Sequence, residues 1–410
     1  MLEYEEALAR VLAAVPSPAS EPIALADADG RILAQDIVSP IDLPPFDNSA
    51  MDGYAVRASD VKLANPGSPV SLRLVGRVAA GENSSSEVSP GTCVRLFTGS
   101  PLPAGADAVV MQEDTKIDAA KPNQVLILDT VKSWENVRFH GEDVKRGARV
   151  CEKGEALTAG RLALLAATGC AEVLASRRPI VGIIATGSEL KEPGESLAPG
   201  QIYESNRTSI AHLVRKAGAI PRTYPLVTDM LEATRLALSS AFKQCDIVIT
   251  SGGVSVGEMD FVKQALGELG GDIQFWKVAI KPGRPFVFGH LPAADNGLSP
   301  RHKLFFGLPG NPVSAFVTFL LLVRPAILRW QGTNDVALPC HPAVLAETLE
   351  NQGERRHFMR VRVSSDGKVQ SSGFQASHIL SSLVAANGFL DVPPRSTLMA
   401  GTTVQVLRWD

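Results

Sequence analysis

The stretch PIVGIIATGSEL, residues 179–190, decides the fold of this chain. Ile180–Ala185 is an unbroken apolar run of strand length, which suits a strand buried on both faces of a sheet. Gly187 then lets the backbone turn sharply, and Glu189 projects from the loop. Further on, Ser205 or Asn206 can cap a helix that carries Ile210, Leu213 and Val214 as far as Gly218. A second strand is predicted over 219–227, a helix over 230–242, a third strand over 246–250 and a helix after Asp260. IQFWKVAI, PFVFGHL and KLFFGLPG supply more strand candidates before a long apolar helix from Pro312 to about Trp330. Strands and helices alternating in this way imply a parallel α/β sheet with right-handed crossovers.

Outward from that region the texture changes on both sides. Tyr4, Leu8, Val11, Leu12 and Val15 recur at helical spacing, so the N-terminus reads as an amphipathic helix that stops near Pro16 and must pack on something later in the chain. From Ile23 to about Leu174 short β-branched runs are broken by Gly and Pro, with one helix over 159–168. After Cys340 the chain is β-rich again, and RVRVSSDGKVQ reads as a hairpin in which Asp366-Gly367 suits a type I′ turn. The expected fold class is a multidomain α/β and β protein.

At roughly 150 residues per domain, 410 residues give two to three domains. Forty Lys plus Arg against 43 Asp plus Glu leave a net charge of -3, which argues against a general nucleic-acid binder. The five cysteines are scattered with no Cys-x-x-Cys pair, so neither a disulfide scaffold nor a structural zinc site is expected. MLEYEEALAR is acidic and amphipathic, unlike a signal peptide, and the apolar stretch 313–323 is shorter than the about 20 residues that span a bilayer. A cytoplasmic location without membrane contact is the expectation.

In an open parallel sheet, ligands sit beyond the carboxyl ends of the strands. Three segments follow strands there: ATGSEL at 185–190, TSGGVSVGEMD at 250–260, and GLPGNP at 307–312 with Pro312 at the first helical position. Between the last two, KVAIKPGRP places Lys277, Lys281 and Arg284 close together. The Ser251-Gly252-Gly253 turn, with Ser255 beyond it, suits an anion-binding nest of backbone N–H groups, and a helix N-terminus adds partial positive charge. The plain alternative is a turn ending in a helix cap. Neither standard nucleotide fingerprint is present. Glu189, Asp229 and Asp260 all fall at strand ends, so their side chains can converge. Like charges 4 Å apart cost about 4 kcal/mol at an effective dielectric of about 20, so three converging carboxylates would need a cation, and oxygen ligands favour magnesium. Asp229 can equally cap the helix that follows it.

In the β-rich part, PPFDNSAMDGYAV at 44–56 crowds Asp47, Asn48, Asp52 and Gly53 around one Met and one Tyr, either as a ligand loop or as a tight turn under another element. LFTGSPLPAGADAVVMQED forms a rigid loop in which the Thr98 hydroxyl can meet a ligand. The seven histidines include no i, i+4 pair, and no Ser-His-Asp triad can be assembled by spacing. AFVTFLLLV reads as a core helix.

Taken together, PPFDNSAMDGYAV, FTGSPLPAGADAVVMQED, GIIATGSEL, SNRTSI, TSGGVSVGEMDF, KPGRPFVFG and GLPGNPVSAF resemble the molybdopterin molybdenumtransferase family, which includes the C-terminal domain of gephyrin. The resemblance runs in order along nearly the whole chain. It implies four domains: 21–43 plus 145–176 as a discontinuous β-rich linker domain, 44–144 as an inserted β-rich domain, 1–20 plus 177–330 as an α/β molybdopterin-binding domain, and 331–410 as a β-barrel-like domain. It implies a homodimer whose cleft is shared between subunits, and a reaction in which adenylylated molybdopterin and molybdate yield molybdenum cofactor and AMP with Mg2+ present. Transient contact with a molybdopterin adenylyltransferase and with cofactor-accepting enzymes is implied as well. Carried onto matching positions, the catalytic set is Asp52, Thr98, Asp143, Glu189, Asp229, Asp260, Lys277 and Lys281, with Glu189, Asp229 and Asp260 as metal ligands. The substrate-binding set is Arg138, Ser251, Gly252, Gly253, Ser255, Arg284, Pro309, Gly310, Asn311, Pro312, Arg355 and Ser377, with Arg356 the alternative to Arg355. Asp52 and Thr98 would act on the other subunit's cleft. The rival readings are a molybdopterin adenylyltransferase, which lacks the PPFDNSAMDGYAV region, and a non-catalytic scaffold.

Overall fold

The computed structural model describes residues 1–82, 85–117, 121–253, 261–292 and 302–409. Its largest core surrounds a six-stranded sheet. In spatial order the strands are Ile220–Thr223, Ile180–Ala185, Ile247–Ser251, Lys303–Leu308, Val287–Leu291 and Asp272–Trp276. The strands with continuous apolar runs are the central ones, and Ile247, Ile249, Leu304 and Phe306 are fully buried. Five strands run the same way. Val287–Leu291 runs antiparallel to both neighbours, because it returns directly from Asp272–Trp276 with no crossover helix between them.

Helices cover both faces. Leu231–Gln244 and Phe261–Glu268 pack on one side through Leu238, Ala241, Val262 and Leu266. Asn206–Lys216 and the long helix Pro312–Trp330 pack on the other. On that second face Phe275, Phe286, Phe288 and Phe306 form a chain of ring contacts at 5.2 to 6.2 Å. Burying each such ring stabilises the fold by about 1.5–3 kcal/mol.

Pro312–Trp330 is longer than the apolar stretch that the sequence singles out. With a mean hydropathy of 1.6 it is long and apolar enough to cross a membrane, but 78 % of its apolar window is buried inside the protein. It is a core helix. Pro325 supplies no N–H for the Leu321 carbonyl, and a π-helical turn over Phe319–Val323 takes up the mismatch. The Tyr4 hydroxyl, from the N-terminal helix Tyr4–Ala13, donates to that same carbonyl at 3.5 Å. Ala7 and Val11 of this helix are fully buried in the same core, so the N-terminus belongs to the far α/β region, as its amphipathic spacing requires. Burial raises the Tyr4 hydroxyl to a pKa of about 12, and the Tyr4 ring meets Phe358 edge-on at 5.4 Å.

Before the α/β region, Ser20–Ala24 pairs antiparallel with Glu172–Ser176, and Ile37–Val38 pairs with Arg149–Cys151. The chain between these ladders forms its own six-stranded sheet, in which Gly53–Val56 lies between Ala108–Met111 and Thr92–Leu96. After it, five strands close into a barrel: Arg356–Val363, Lys368–Ser371, Cys340–Leu345, Thr403–Arg408 and Gly388–Val392, which pairs back to the first. Ile280 and Lys281 pair in parallel with Arg356 and His357, which stitches the barrel to the α/β region beside the loop carrying Lys281 and Arg284. The hairpin at Asp366-Gly367 is present with a different turn. Only Gly367 has a positive φ, of 77°, and the Gly367 N–H donates to the Ser364 carbonyl, so the connection is a longer loop than a two-residue type I′ turn.

Candidate active site

Ile180–Ala185, Ile247–Ser251 and Lys303–Leu308 are adjacent and parallel, with Ala185 opposite Ser251 and Ser251 opposite Leu308. Their following loops therefore start side by side at one edge of the sheet. The Thr186 N–H donates to the Ser251 carbonyl at 3.0 Å and the Gly252 N–H to the Leu308 carbonyl at 3.2 Å. Gly252 and Gly253 have φ of 91° and 66°, and a Cβ at Gly252 would lie 2.4 Å from the Thr186 carbonyl oxygen. Glycine is required there on both counts. Because Leu308 already consumes the Gly252 N–H, the anion nest expected over both glycines does not include this donor.

Asn206 ties the loops together: its side-chain amide donates to Ser251 Oγ at 2.7 Å and to the Gly310 carbonyl at 2.8 Å. The sequence offered Asn206 only as a helix cap, and nothing in its local pattern signals a clamp. Beneath these loops lies a cleft of about 710 Å³ that includes Gly187, Glu189, Asp229, Ser251, Gly252, Gly253, Pro309, Gly310, Asn311 and Pro312. Thr186, Glu204 and His378, which sequence reasoning did not select, line it too.

Asp229 is not a helix cap. The helix begins at Leu231 with Met230 at its N-cap, and the Asp229 carboxylate instead accepts the Ser188 N–H at 3.0 Å while its own N–H donates to Ser188 Oγ at 3.1 Å. This pair fastens the Glu189 loop to the loop bearing Asp229. Ser255 and Asp260 lie outside the described residues. Among the described residues no three His, Cys, Asp or Glu groups are grouped to hold a metal. Glu189 and Asp229 do present hard oxygen donors to one cleft, the chemistry that magnesium favours.

A second cavity, of about 590 Å³, adjoins the first and shares Pro285, Asn311 and Ser314 with it. Lys281, Arg284, Arg355 and Ser377 line it, and among the described residues no carboxylate does. Arg355 donates to the Ile280 carbonyl at 3.0 Å, and burial, followed by the charge of Arg284, lowers its pKa. Arg356 points elsewhere. Its Nε donates to both Asp391 carboxylate oxygens at 2.7 Å, another nitrogen reaches Glu5, and its guanidinium lies over the rings of Tyr4 and Phe358. The arginine facing the cavity is therefore Arg355. Burial, then Lys281, Arg360 and Arg355, push His357 down to about 3, so it adds no charge near neutrality.

Five expected residues lie away from both cavities. Lys277 has a left-handed φ of 81°, donates its N–H to the Phe286 carbonyl and accepts the Leu2 N–H. Asp52, Thr98, Arg138 and Asp143 belong to the region before the α/β sheet and line neither cavity. Asp52 and Thr98 are nonetheless joined, since one Asp52 oxygen accepts the Thr98 N–H at 2.8 Å and the Thr98 hydroxyl at 2.7 Å. These two bonds hold the Asp52 carboxyl below its ordinary value, with a smaller push from Arg95. A depressed carboxyl contributes stability that is present above its unfolded value and is lost as pH falls through its folded value. Thr98→Val removes the hydroxyl and keeps the N–H, so the Asp52 midpoint is expected to rise part of the way back, read by carboxyl-carbon NMR titration. An unmoved midpoint would refute this assignment.

Three family models cover the chain: "MoeA N-terminal region (domain I and II)" at residues 2–169, "Probable molybdopterin binding domain" at 182–329 and "MoeA C-terminal region (domain IV)" at 342–409. A protein of Haemophilus influenzae named molybdopterin molybdenumtransferase is 41% identical over 413 residues, covering 99% of this chain and 98% of its own. One from Bacillus subtilis with the same name is 36% identical, covering 99% and 94%. The crystal structure of a molybdopterin biosynthesis moeA protein from Pyrococcus horikoshii superposes with a TM-score of 0.83 at 33% identity over all of both chains. Likeness at this level over the full length leaves one conclusion: the chain belongs to the molybdopterin molybdenumtransferase family.

Proposed function

We propose that this protein inserts molybdate into adenylylated molybdopterin, releasing AMP and molybdenum cofactor. The observation that carries the reading is the pair of adjoining cavities, one bordered by Glu189 and Asp229 and the other lined by Lys281, Arg284 and Arg355 with no carboxylate among the described residues. A tetrahedral dianion fits the second chamber, where Lys281, Arg284 and Arg355 neutralise it and the Ser377 hydroxyl can donate a hydrogen bond. The larger cleft, bordered by carboxylates, suits the pterin nucleotide together with a bound cation. The N-terminus of Pro312–Trp330 borders it, and although Pro312 has no N–H and the Val313 N–H is taken by the Ser377 carbonyl, the helix dipole favours negative charge there.

Glu189 and Asp229 would hold magnesium, with Asp260 as a third ligand, and the ion would supply Lewis-acid polarisation at the pyrophosphate. The Ser188–Asp229 pair keeps both carboxylates on one side of the cleft, and Asn206 holds the opposite wall at Ser251 and Gly310. Arg284 and Arg355 orient the oxyanion beside the pterin, at the shared border of Asn311 and Ser314. The reading includes a cytoplasmic homodimer with the four domains given above, in which Asp52, Thr98, Arg138 and Asp143 complete the partner's cleft. What supports this is that none of the four lines either cavity of its own chain and that Asp52 and Thr98 are joined outside them.

The test is AMP release from the purified protein given adenylylated molybdopterin and magnesium, with and without molybdate. Molybdate-dependent release is expected, together with loss of release on chelation of magnesium. Release that ignores molybdate would overturn the reading.

A further inference from the structure

The barrel strand Arg356–Val363 carries an arginine that the cavities do not expose. Arg360 is 0% exposed, and among the described residues no carboxylate pairs with it. A buried guanidinium without a counter-ion is costly, so its retention calls for a physical reason. All its hydrogen-bond partners lie in one following segment. Its Nε donates to Ser382 Oγ at 2.7 Å, and one Nη donates to the carbonyls of Phe374 and Ala376 at 3.1 and 3.2 Å. Its backbone N–H meets Gln375 Oε1 at 2.9 Å, and its carbonyl accepts from the Ser372 N–H, the Ser372 hydroxyl and the Gln375 amide. The other Nη is buried and has no partner.

That segment is one wall of the cationic cavity: Phe374, Gln375, Ala376 and Ser377 all line it. Ser377 reaches the opposite wall, accepting the Asn311 side-chain amide at 3.1 Å and, through its carbonyl, the Val313 N–H at 3.2 Å. The wall is otherwise a loop between Lys368–Ser371 and Ser381–Ala385, with the side chain of Phe374 largely in solvent. A planar fork that bonds two carbonyls and a hydroxyl at once sets its position, which a neutral amide or a lysine cannot do.

We propose that Arg360 is a positioning residue for the oxyanion cavity: its guanidinium fixes the wall that carries Ser377, and its uncompensated charge adds to the field of Lys281, Arg284 and Arg355. The inference rests on the reading of that cavity as the molybdate site. Oxyanion affinity then depends on a residue the oxyanion never touches.

The experiment titrates molybdate into full-length wild type, Lys281→Ala, Arg360→Lys and Ser382→Ala by calorimetry, and measures KM for molybdate and for adenylylated molybdopterin separately. Arg360→Lys keeps the charge and loses the fork, and is expected to raise the molybdate Kd about tenfold. Ser382→Ala removes one tether and is expected to raise it about threefold, while KM for the pterin stays within about twofold in both. If Arg360→Lys fails to fold, Ser382→Ala carries the test alone. Variants that bind molybdate like wild type, while Lys281→Ala does not, sink the inference and leave the site reading intact, as does an equal loss for both substrates. Wild type that binds no molybdate overturns the site reading, and the inference with it.

Discussion

Gly252→Ala is expected to lower AMP release by about a hundredfold and to destabilise the fold by about 2–4 kcal/mol. Two costs combine. An alanine at φ 91° carries a backbone penalty of about 1–3 kcal/mol, and its Cβ would stand 2.4 Å from the Thr186 carbonyl oxygen, a main-chain atom that cannot swing aside. The loops after Ile180–Ala185 and Ile247–Ser251 must then separate, and a displacement near 1 Å between groups that orient a substrate costs about two orders of magnitude in rate. Gly401→Ala is the control: φ is 83° there, but nothing lies within 4 Å of the added methyl. It should show the backbone penalty in thermal unfolding and full activity. Activity of the Gly252 variant within about threefold of wild type would mean that the loop geometry matters little to the chemistry.

The adjacent arginines make the second large prediction, because one dipeptide serves two ends. Arg355→Ala is expected to raise KM for molybdate about tenfold to a hundredfold, the loss of a charge-assisted contact of about 1.5–3 kcal/mol, with little change in melting temperature. Arg356→Ala is expected to behave oppositely. It breaks the bidentate bond to Asp391 and the link to Glu5 of the N-terminal helix, costing about 2 kcal/mol of stability and leaving KM unchanged. Steady-state kinetics beside calorimetric unfolding on both variants decide the matter, and the reverse pattern would place Arg356 in the cavity.

Much of the architecture was legible because its signals are local. Continuous apolarity over Ile180–Ala185 marks a doubly covered strand, the spacing of Tyr4, Leu8, Val11, Leu12 and Val15 marks a helix needing a partner, and Pro312 marks a helix start. Direction is not local. The run PFVFGHL reads the same whether its strand is parallel or antiparallel, and the absence of a crossover helix decides it only in three dimensions. The same holds for the site. Strand ends pointed to Glu189, Asp229 and the glycine turn, but which of the neighbours Arg355, just before a barrel strand, and Arg356, its first residue, faces the cavity is set only by the packing around them, and the clamp role of Asn206 depends on Ser251 and Gly310, 45 and 104 residues away. Arg360 looks like any strand arginine until its burial is known.

The N-terminal helix gives the molecule an order of assembly. Its apolar stripe is synthesised well before the surface that covers much of it, Leu321 and the rest of Pro312–Trp330, which comes roughly 300 residues later. At about 5–20 residues per second that interval is about 15–60 seconds, during which Tyr4, Ala7 and Val11 lack the Pro312–Trp330 surface they pack against. The α/β core can close only when translation has passed Trp330, so the helix Tyr4–Ala13 is among the last elements to become native, and a nascent protein stalled earlier presents its hydrophobic stripe to chaperones.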